Sequence, residues 1–160
     1  MNNKVKRNYL EINFLEDLKE ASHFSDKRSV DLVDPVDFQL NKFFYKNIGK
    51  NHRWIDRLVW TEKQWIKYVS DKNVKTYVLK NEKELAGYFE LNLHPKKNEV
   101  EIAYLGLLEE YYNKKLGSYL LSIAIKNSFL SKPKRVWVHT CSLDHKNALN
   151  NYIARGMKIF

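Results

Sequence analysis

The sequence holds a single thiol, Cys141, so no internal disulfide can form. Its five histidines, His23, His52, His94, His139 and His145, are scattered, and no Cys/His group has zinc spacing, which argues against a structural metal. No apolar run approaches the ~20 residues that a bilayer span needs. The opening MNNKVKRNYLEINF lacks the continuous apolar centre of a secretory signal. Internal repeats, low-complexity tracts and linkers are missing too. Together these absences predict a soluble cytoplasmic protein with no membrane partner.

What is present fits one domain over residues 1–160. Aromatic residues make up 14%, so large side chains are available to bury. The net charge is +9, with an excess of +5 in residues 1–80 and +4 in residues 81–160. The charge is therefore spread evenly and not gathered in a tail. It favours an anionic partner, whether nucleic acid, an acidic surface or a phosphorylated cofactor, and selects none of them.

Local patterns predict the elements. Tyr9 to Phe14 suits a strand, and Asp17 to Asp34 shows no clear pattern. A helical pattern runs from about Asp37 to Ile48, with Phe38, Leu40, Phe43, Phe44 and Ile48 as its apolar positions and Gly49 to close it. Thr61 and Gln64 form a capping-box pair, and Trp60 and Trp65 suit a hydrophobic staple, so a helix spans 61–69. Thr76 to Lys80, Leu85 to Leu93 and Val100 to Leu107 read as strands joined by short turns, hence an antiparallel meander. Leu85, Phe89, Leu91 and Leu93 are expected on one face of the second. Residues 116–129 are apolar almost all round, as in a helix buried against a sheet. Arg135 to His139 is a strand, and Lys146 to Arg155 a last helix capped by Gly156. Strands 100–107 and 135–139 flank the buried helix and should be parallel, in an α/β unit.

The loop YYNKKLGSYLL (111–121) leads from the third meander strand into that buried helix. A helix start after a strand offers free backbone N–H groups and partial positive charge to an anion. Lys114 and Lys115 add formal charge, and Gly117 lets backbone approach a ligand closely. The loop alone leaves two readings open: a phosphate or diphosphate site, and a solvated lysine pair. It matches neither the nucleotide P-loop nor GxGxxG.

Three pieces resemble the GNAT superfamily of acyl-coenzyme A-dependent N-acyltransferases. VEIAYLGL (100–107) with YYNKKLGSYLLSIAI (111–125) looks like the superfamily's fourth strand, pyrophosphate loop and third helix. RVWVHT (135–140) is similar to its fifth strand. ALNNYIARGM (148–157) looks like the Ala-x-x-x-Tyr-x-x-x-Gly-Phe motif of its fourth helix. The loop departs from the usual Arg/Gln-x-x-Gly-x-Gly/Ala: Tyr112 stands at the Arg/Gln position and Lys115 at the first glycine. His145 occupies the place of a common asparagine near the pantetheine. The sequence given ends at Phe160, directly after the fourth helix, so the superfamily's final β-hairpin is expected to be short or absent. That leaves open a partner chain at the sheet edge, as in a homodimer.

The resemblance implies an α/β fold: a mixed central sheet, an antiparallel meander, a parallel β-α-β-α second half, and splayed strands 100–107 and 135–139. It implies acetyl-CoA as acyl donor, with the pantetheine arm along Leu105, Gly106 and Leu107. The diphosphate would sit on Tyr112, Asn113, Lys114, Lys115, Leu116, Gly117 and Ser118. Tyr152 matches the superfamily's tyrosine acid, with a core tyrosine as its plain alternative. Glu101 is the candidate general base and Glu90 the second choice; an ordinary solvent-facing strand residue or an ion-pair partner is the alternative for Glu101. The first two helices and their connection wall the acceptor pocket in the superfamily. That makes Tyr45, Trp54 and Asp56 candidate acceptor residues, with an aromatic core as the alternative. Cys141 reads as a small buried hydrophobe.

The function implied is transfer of an acetyl group from acetyl-CoA to a primary amine, small-molecule or peptide, by direct attack in a ternary complex. Two rival readings stand beside it. One is a degenerate GNAT domain that binds coenzyme A or a partner without turnover. The other is a basic nucleic-acid-binding module, against which the diffuse charge and the missing recognition motifs both argue.

Overall fold

The computed structural model describes residues 4–21 and 25–160; His23 lies outside them. Seven strands and four helices follow one another among these residues. In chain order they are β1 (Arg7–Ile12), β2 (Arg28–Leu32), α1 (Phe38–Gly49), α2 (Glu62–Val69), β3 (Val74–Asn81) and β4 (Glu84–His94). Then come β5 (Glu99–Leu107), α3 (Leu116–Ser128), β6 (Arg135–Cys141), α4 (Ala148–Ala154) and β7 (Lys158–Ile159). The strands form one mixed sheet in the order β2-β3-β4-β5-β6-β1-β7.

The expected meander is β3-β4-β5, antiparallel throughout. The turn after β3 puts Glu82 and Lys83 at positive φ, 52° and 70°, the twist that a two-residue hairpin turn requires. The helix start at Thr61 is a complete capping box, and Trp60 meets Trp65 edge-on with centroids 4.9 Å apart. Asp37 caps α1 by accepting from the Gln39 N–H at 3.0 Å. The face that α1 buries differs from the apolar pattern. Asn41, Phe44, Tyr45 and Ile48 are buried, whereas Phe43 is exposed. Asn41 is inside because its amide reaches the buried carboxylate of Glu90. β4 is likewise buried on both faces from Ala86 to Leu91, because helices cover it front and back.

β5 and β6 are parallel, and α3 is the crossover between them. Their ladder covers only Glu99–Glu101 against Arg135–Trp137. Beyond that point the strands part, as the resemblance implied. The far edge of β6 is filled from within the chain. β1 pairs with it antiparallel over Arg7–Ile12, burying Leu10 and Ile12, and the two-residue β7 pairs with β1 in turn. β1 therefore takes the place beside β6 that a C-terminal hairpin or partner strand would have supplied.

Strand alternation sorts the layers. On one face of β5, a Cβ at Gly106 would lie 2.7 Å from Cγ2 of Ile48, so glycine is what lets α1 pack there. The next residue, Leu107, points to the other face, where α3 begins. β5 carries a bulge at Ala103: Tyr104 pairs with Glu90, yet Ile102 pairs with Leu91. The extra residue resets the alternation. Glu101 thereby shares the α1 face with Tyr104, although the two are three residues apart.

Candidate active site

A cleft of about 1030 Å³ opens where β5 and β6 part. Its walls come from β5, β6, the loop before α3, the first residues of α4 and the segment joining α1 to α2. Of the residues singled out from sequence, Tyr45, Trp54, Asp56, Glu101, Leu105, Gly106, Leu107, Tyr112, Asn113, Lys115, Leu116, Gly117, Ser118, His145 and Tyr152 all line it. Lys114 does not. Its Nζ instead lies 5.5 Å from the centre of the Tyr111 ring, so its charge is held outside the cleft.

The loop backbone adopts the left-handed conformation twice, at Asn113 (φ 62°) and Lys115 (φ 61°). Asparagine visits that region readily; lysine does so at a cost of roughly 1–2 kcal/mol. Lys115 thus keeps a backbone shape natural to the glycine that usually stands there. No side chain caps α3, and the Ser118 hydroxyl donates to the Lys115 carbonyl rather than accepting from an N–H. The first N–H groups of α3 therefore meet the cleft without an intrahelical acceptor.

Gly117 is informative because the fold does not need it. Its φ is not positive, and a Cβ there would meet only Asn151 and Leu107, both at 3.9 Å. Within a helix glycine is roughly 0.5–1 kcal/mol worse than alanine. The space it leaves belongs to the cleft. Gly117→Ala is expected to raise the melting temperature of the free protein slightly while weakening acetyl-CoA binding about tenfold, read by thermal unfolding and calorimetric titration.

Three loops meet at the mouth. His52 must donate from Nδ1 to the Leu143 carbonyl (3.3 Å), and its Nε2 lies 3.3 Å from the Tyr112 hydroxyl. The His145 ring stands edge-on to Tyr112, centroids 5.0 Å apart, and its Nδ1 accepts from the Asn147 N–H. Burial, then the neighbouring His52 and Lys146, lowers the pKa of His145 and favours the neutral ring. Asp144 pins the turn after β6, accepting from the Thr140 hydroxyl at 2.6 Å and the Cys141 N–H at 3.0 Å. Cys141 itself is half-buried and lines the cleft, instead of packing wholly inside.

Deeper in, Tyr152 of α4 is buried at the cleft wall. Burial, with Asp144 nearby, pushes its phenol pKa up. Glu101 is mostly buried and hydrogen-bonds His94 at 3.2 Å. Glu90 occupies a different setting from the one its candidacy as base required. It is fully buried, and its oxygens are taken by Arg57 (3.0 and 3.1 Å), Asn41 (2.9 Å) and Tyr68 (3.0 Å). It is a structural anion, and the second choice of base is corrected accordingly.

Arg57 is a residue of the 43–58 segment to which the sequence assigned no role. Its guanidinium lies 4.2 Å from the ring centres of Tyr68 and Tyr104 and 4.8 Å from that of Trp60. Burial disfavours its charge, but Glu90 and the surrounding tyrosines more than offset this, so its pKa is raised. The backbone N–H of Arg57 donates to the Tyr45 hydroxyl at 3.0 Å. Tyr45 is therefore a buried support of the wall, with Trp54 packed on it and on Tyr104 (centroids 5.7 and 4.9 Å). Burial pushes Tyr104 up to about 12, so it faces the cleft as a neutral hydroxyl. Asp56 stands exposed on the same segment.

Known proteins share this fold. A sequence search of curated proteins returned no match. Among solved structures, a GCN5-related N-acetyltransferase from Kribbella flavida superposes with a TM-score of 0.68 at 12% identity, covering 97% of this chain. The present chain spans 56% of that protein's length. An aminoglycoside acetyltransferase from an uncultured soil metagenomic sample gives 0.67 at 12% identity, covering 81% of this chain and 88% of its own. The ribosomal-protein-S18-alanine N-acetyltransferase of Escherichia coli gives 0.62 at 13%, covering 81% and 76%. At such identities these likenesses speak to the fold. The model of the acetyltransferase (GNAT) family matches residues 38–157, three quarters of the sequence and every element from α1 through α4, and the chain belongs to that family.

Proposed function

We propose that this protein transfers an acetyl group from acetyl-CoA to a primary amine, by direct attack within the cleft between β5 and β6. The observation that carries the reading is the parting of those strands beside an uncapped helix start. The residues fit the donor. The N–H groups of Leu116, Gly117 and Ser118 and the Lys115 ammonium would hold the diphosphate. Backbone of Leu105 to Leu107, unpaired toward β6, would align the pantetheine arm.

Bound acetyl-CoA supplies an acetyl thioester; the remaining chemistry belongs to the chain. An N–H near Leu105 stabilises negative charge developing on the thioester oxygen. A lysine-like amine, with a reference pKa of about 10.4, arrives protonated, and Glu101 removes the proton. Tyr152 donates to the departing thiolate, since burial keeps its phenol protonated through the neutral range. Trp54, Tyr104 and Asp56 wall the acceptor end, where the Asp56 carboxylate attracts a cationic amine and the rings pack on it.

The test is release of coenzyme A thiol from acetyl-CoA in the presence of sisomicin, spermidine or an alanyl peptide. Amine-dependent release with a matching acetylated product is expected for at least one of them. Saturable acetyl-CoA binding without release on any amine would favour a binding domain without turnover.

A further inference from the structure

A base that keeps its proton cannot serve the next turnover, so Glu101 needs a route to discharge it. We propose that His94 carries the amine proton from Glu101 to solvent. The inference rests on the acetyltransferase reading and on Glu101 as its base.

Glu101 lines the cleft and His94 does not. The His94 side chain is 41% exposed against 16% for Glu101, so the pair runs from the cleft wall outward to water. Nε2 of His94 lies 3.2 Å from Oε1 of Glu101. The sheet makes this contact. His94 is opposite Glu99 and Asn92 is opposite Glu101, so both side chains stand on one face of neighbouring strands. The His94 ring is stacked on Trp137 at an interplanar angle of 22°, which fixes its plane.

The charges around the imidazole are Glu99 and Glu101 on β5 and Arg135 on β6. Arg135 is bound to Glu99 at 3.1 Å and to Glu11 at 3.0 Å. Glu99 is thereby occupied, and Glu101 is the carboxylate left to the ring. The steps balance. An ammonium N–H bond breaks and an O–H bond forms on Glu101. That proton passes to Nε2 of a neutral ring carrying its hydrogen on Nδ1. The Nδ1 proton then leaves to water and Glu101 is again a carboxylate; the ring is left with its hydrogen on Nε2, and exchange with solvent returns that hydrogen to Nδ1 before the next turnover.

The test uses thiol release with whichever of sisomicin, spermidine and the alanyl peptide turns over fastest. His94→Ala is expected to lower kcat about tenfold or more, to leave KM for acetyl-CoA within twofold, and to recover with added imidazole. His94→Gln keeps a hydrogen bond to Glu101 but cannot relay, and should lose as much as alanine. Full activity in the glutamine variant would overturn the relay, since His94 would then only position Glu101. So would a loss that imidazole does not restore. Independently of turnover, Glu101→Gln should move the ring 15N resonances of His94. Unmoved resonances sink the relay, whereas silence across the whole amine set sinks the acetyltransferase reading instead.

Discussion

Replacing Arg57 by methionine should destabilise the protein by about 3–5 kcal/mol, the range for a buried ion pair that loses one partner. The Arg57 side chain is 7% exposed and the Glu90 side chain not at all. Without the guanidinium, Glu90 keeps only the Asn41 and Tyr68 donors, and its charge is left uncompensated inside the sheet. For a chain of this size each kcal/mol shifts the melting temperature by roughly 2–4 °C, so a drop on the order of 10 °C is expected. The double variant Arg57→Met/Glu90→Leu should recover most of it, because the penalty lies in the orphaned charge rather than in lost attraction. Thermal unfolding of the two proteins separates the possibilities. A harmless single variant would mean that Glu90 reaches water or another cation. The effect extends to the cleft, because Trp54 and Asp56 sit on the segment that Arg57 fastens to β4.

Tyr152→Phe should leave folding intact and lower kcat by about a hundredfold, or ~2.7 kcal/mol in the barrier. Phenylalanine keeps the ring that packs between α4 and the cleft and removes only the hydroxyl. KM for acetyl-CoA should change little, since the diphosphate and pantetheine contacts lie elsewhere. The raised phenol pKa gives a sign for the pH profile. The group stays a proton donor below its own pKa, so ionisation of Tyr152 should not cut turnover below about pH 10, the value of a free tyrosine. Steady-state kinetics on wild type and variant decide it. Unchanged kcat would remove the phenol from the reaction.

Much of the scaffold was legible because its signals are local. The capping box at Thr61 and Gln64 and the apolar run of α3 each act within a turn or two of helix. The strand-helix-strand order from Val100 onward then dictated parallel pairing. The turn into α3 was legible for the same reason, since strand, polar turn and helix start are contiguous in sequence.

What escaped was set by contacts between distant residues. Arg57 and Glu90 are 33 positions apart, and nothing near either one marks it as half of a buried pair. β1 carries an ordinary alternating pattern; that it pairs with β6, more than a hundred residues away, depends on an edge that exists only once the sheet is built. The bulge at Ala103 has no side-chain signature in AYLG, yet it decides that Glu101 and Tyr104 share a face. The role of Lys115 was half visible: its charge could be read, its left-handed backbone could not.

The most direct measurement is calorimetric titration of acetyl-CoA into the purified protein and into its Gly117→Ala variant. Saturable one-to-one binding that the added methyl group weakens is the expected result, because that methyl would fill the space where backbone meets diphosphate. No binding to the wild type, or equal affinity in both proteins, would contradict a donor site at the start of α3.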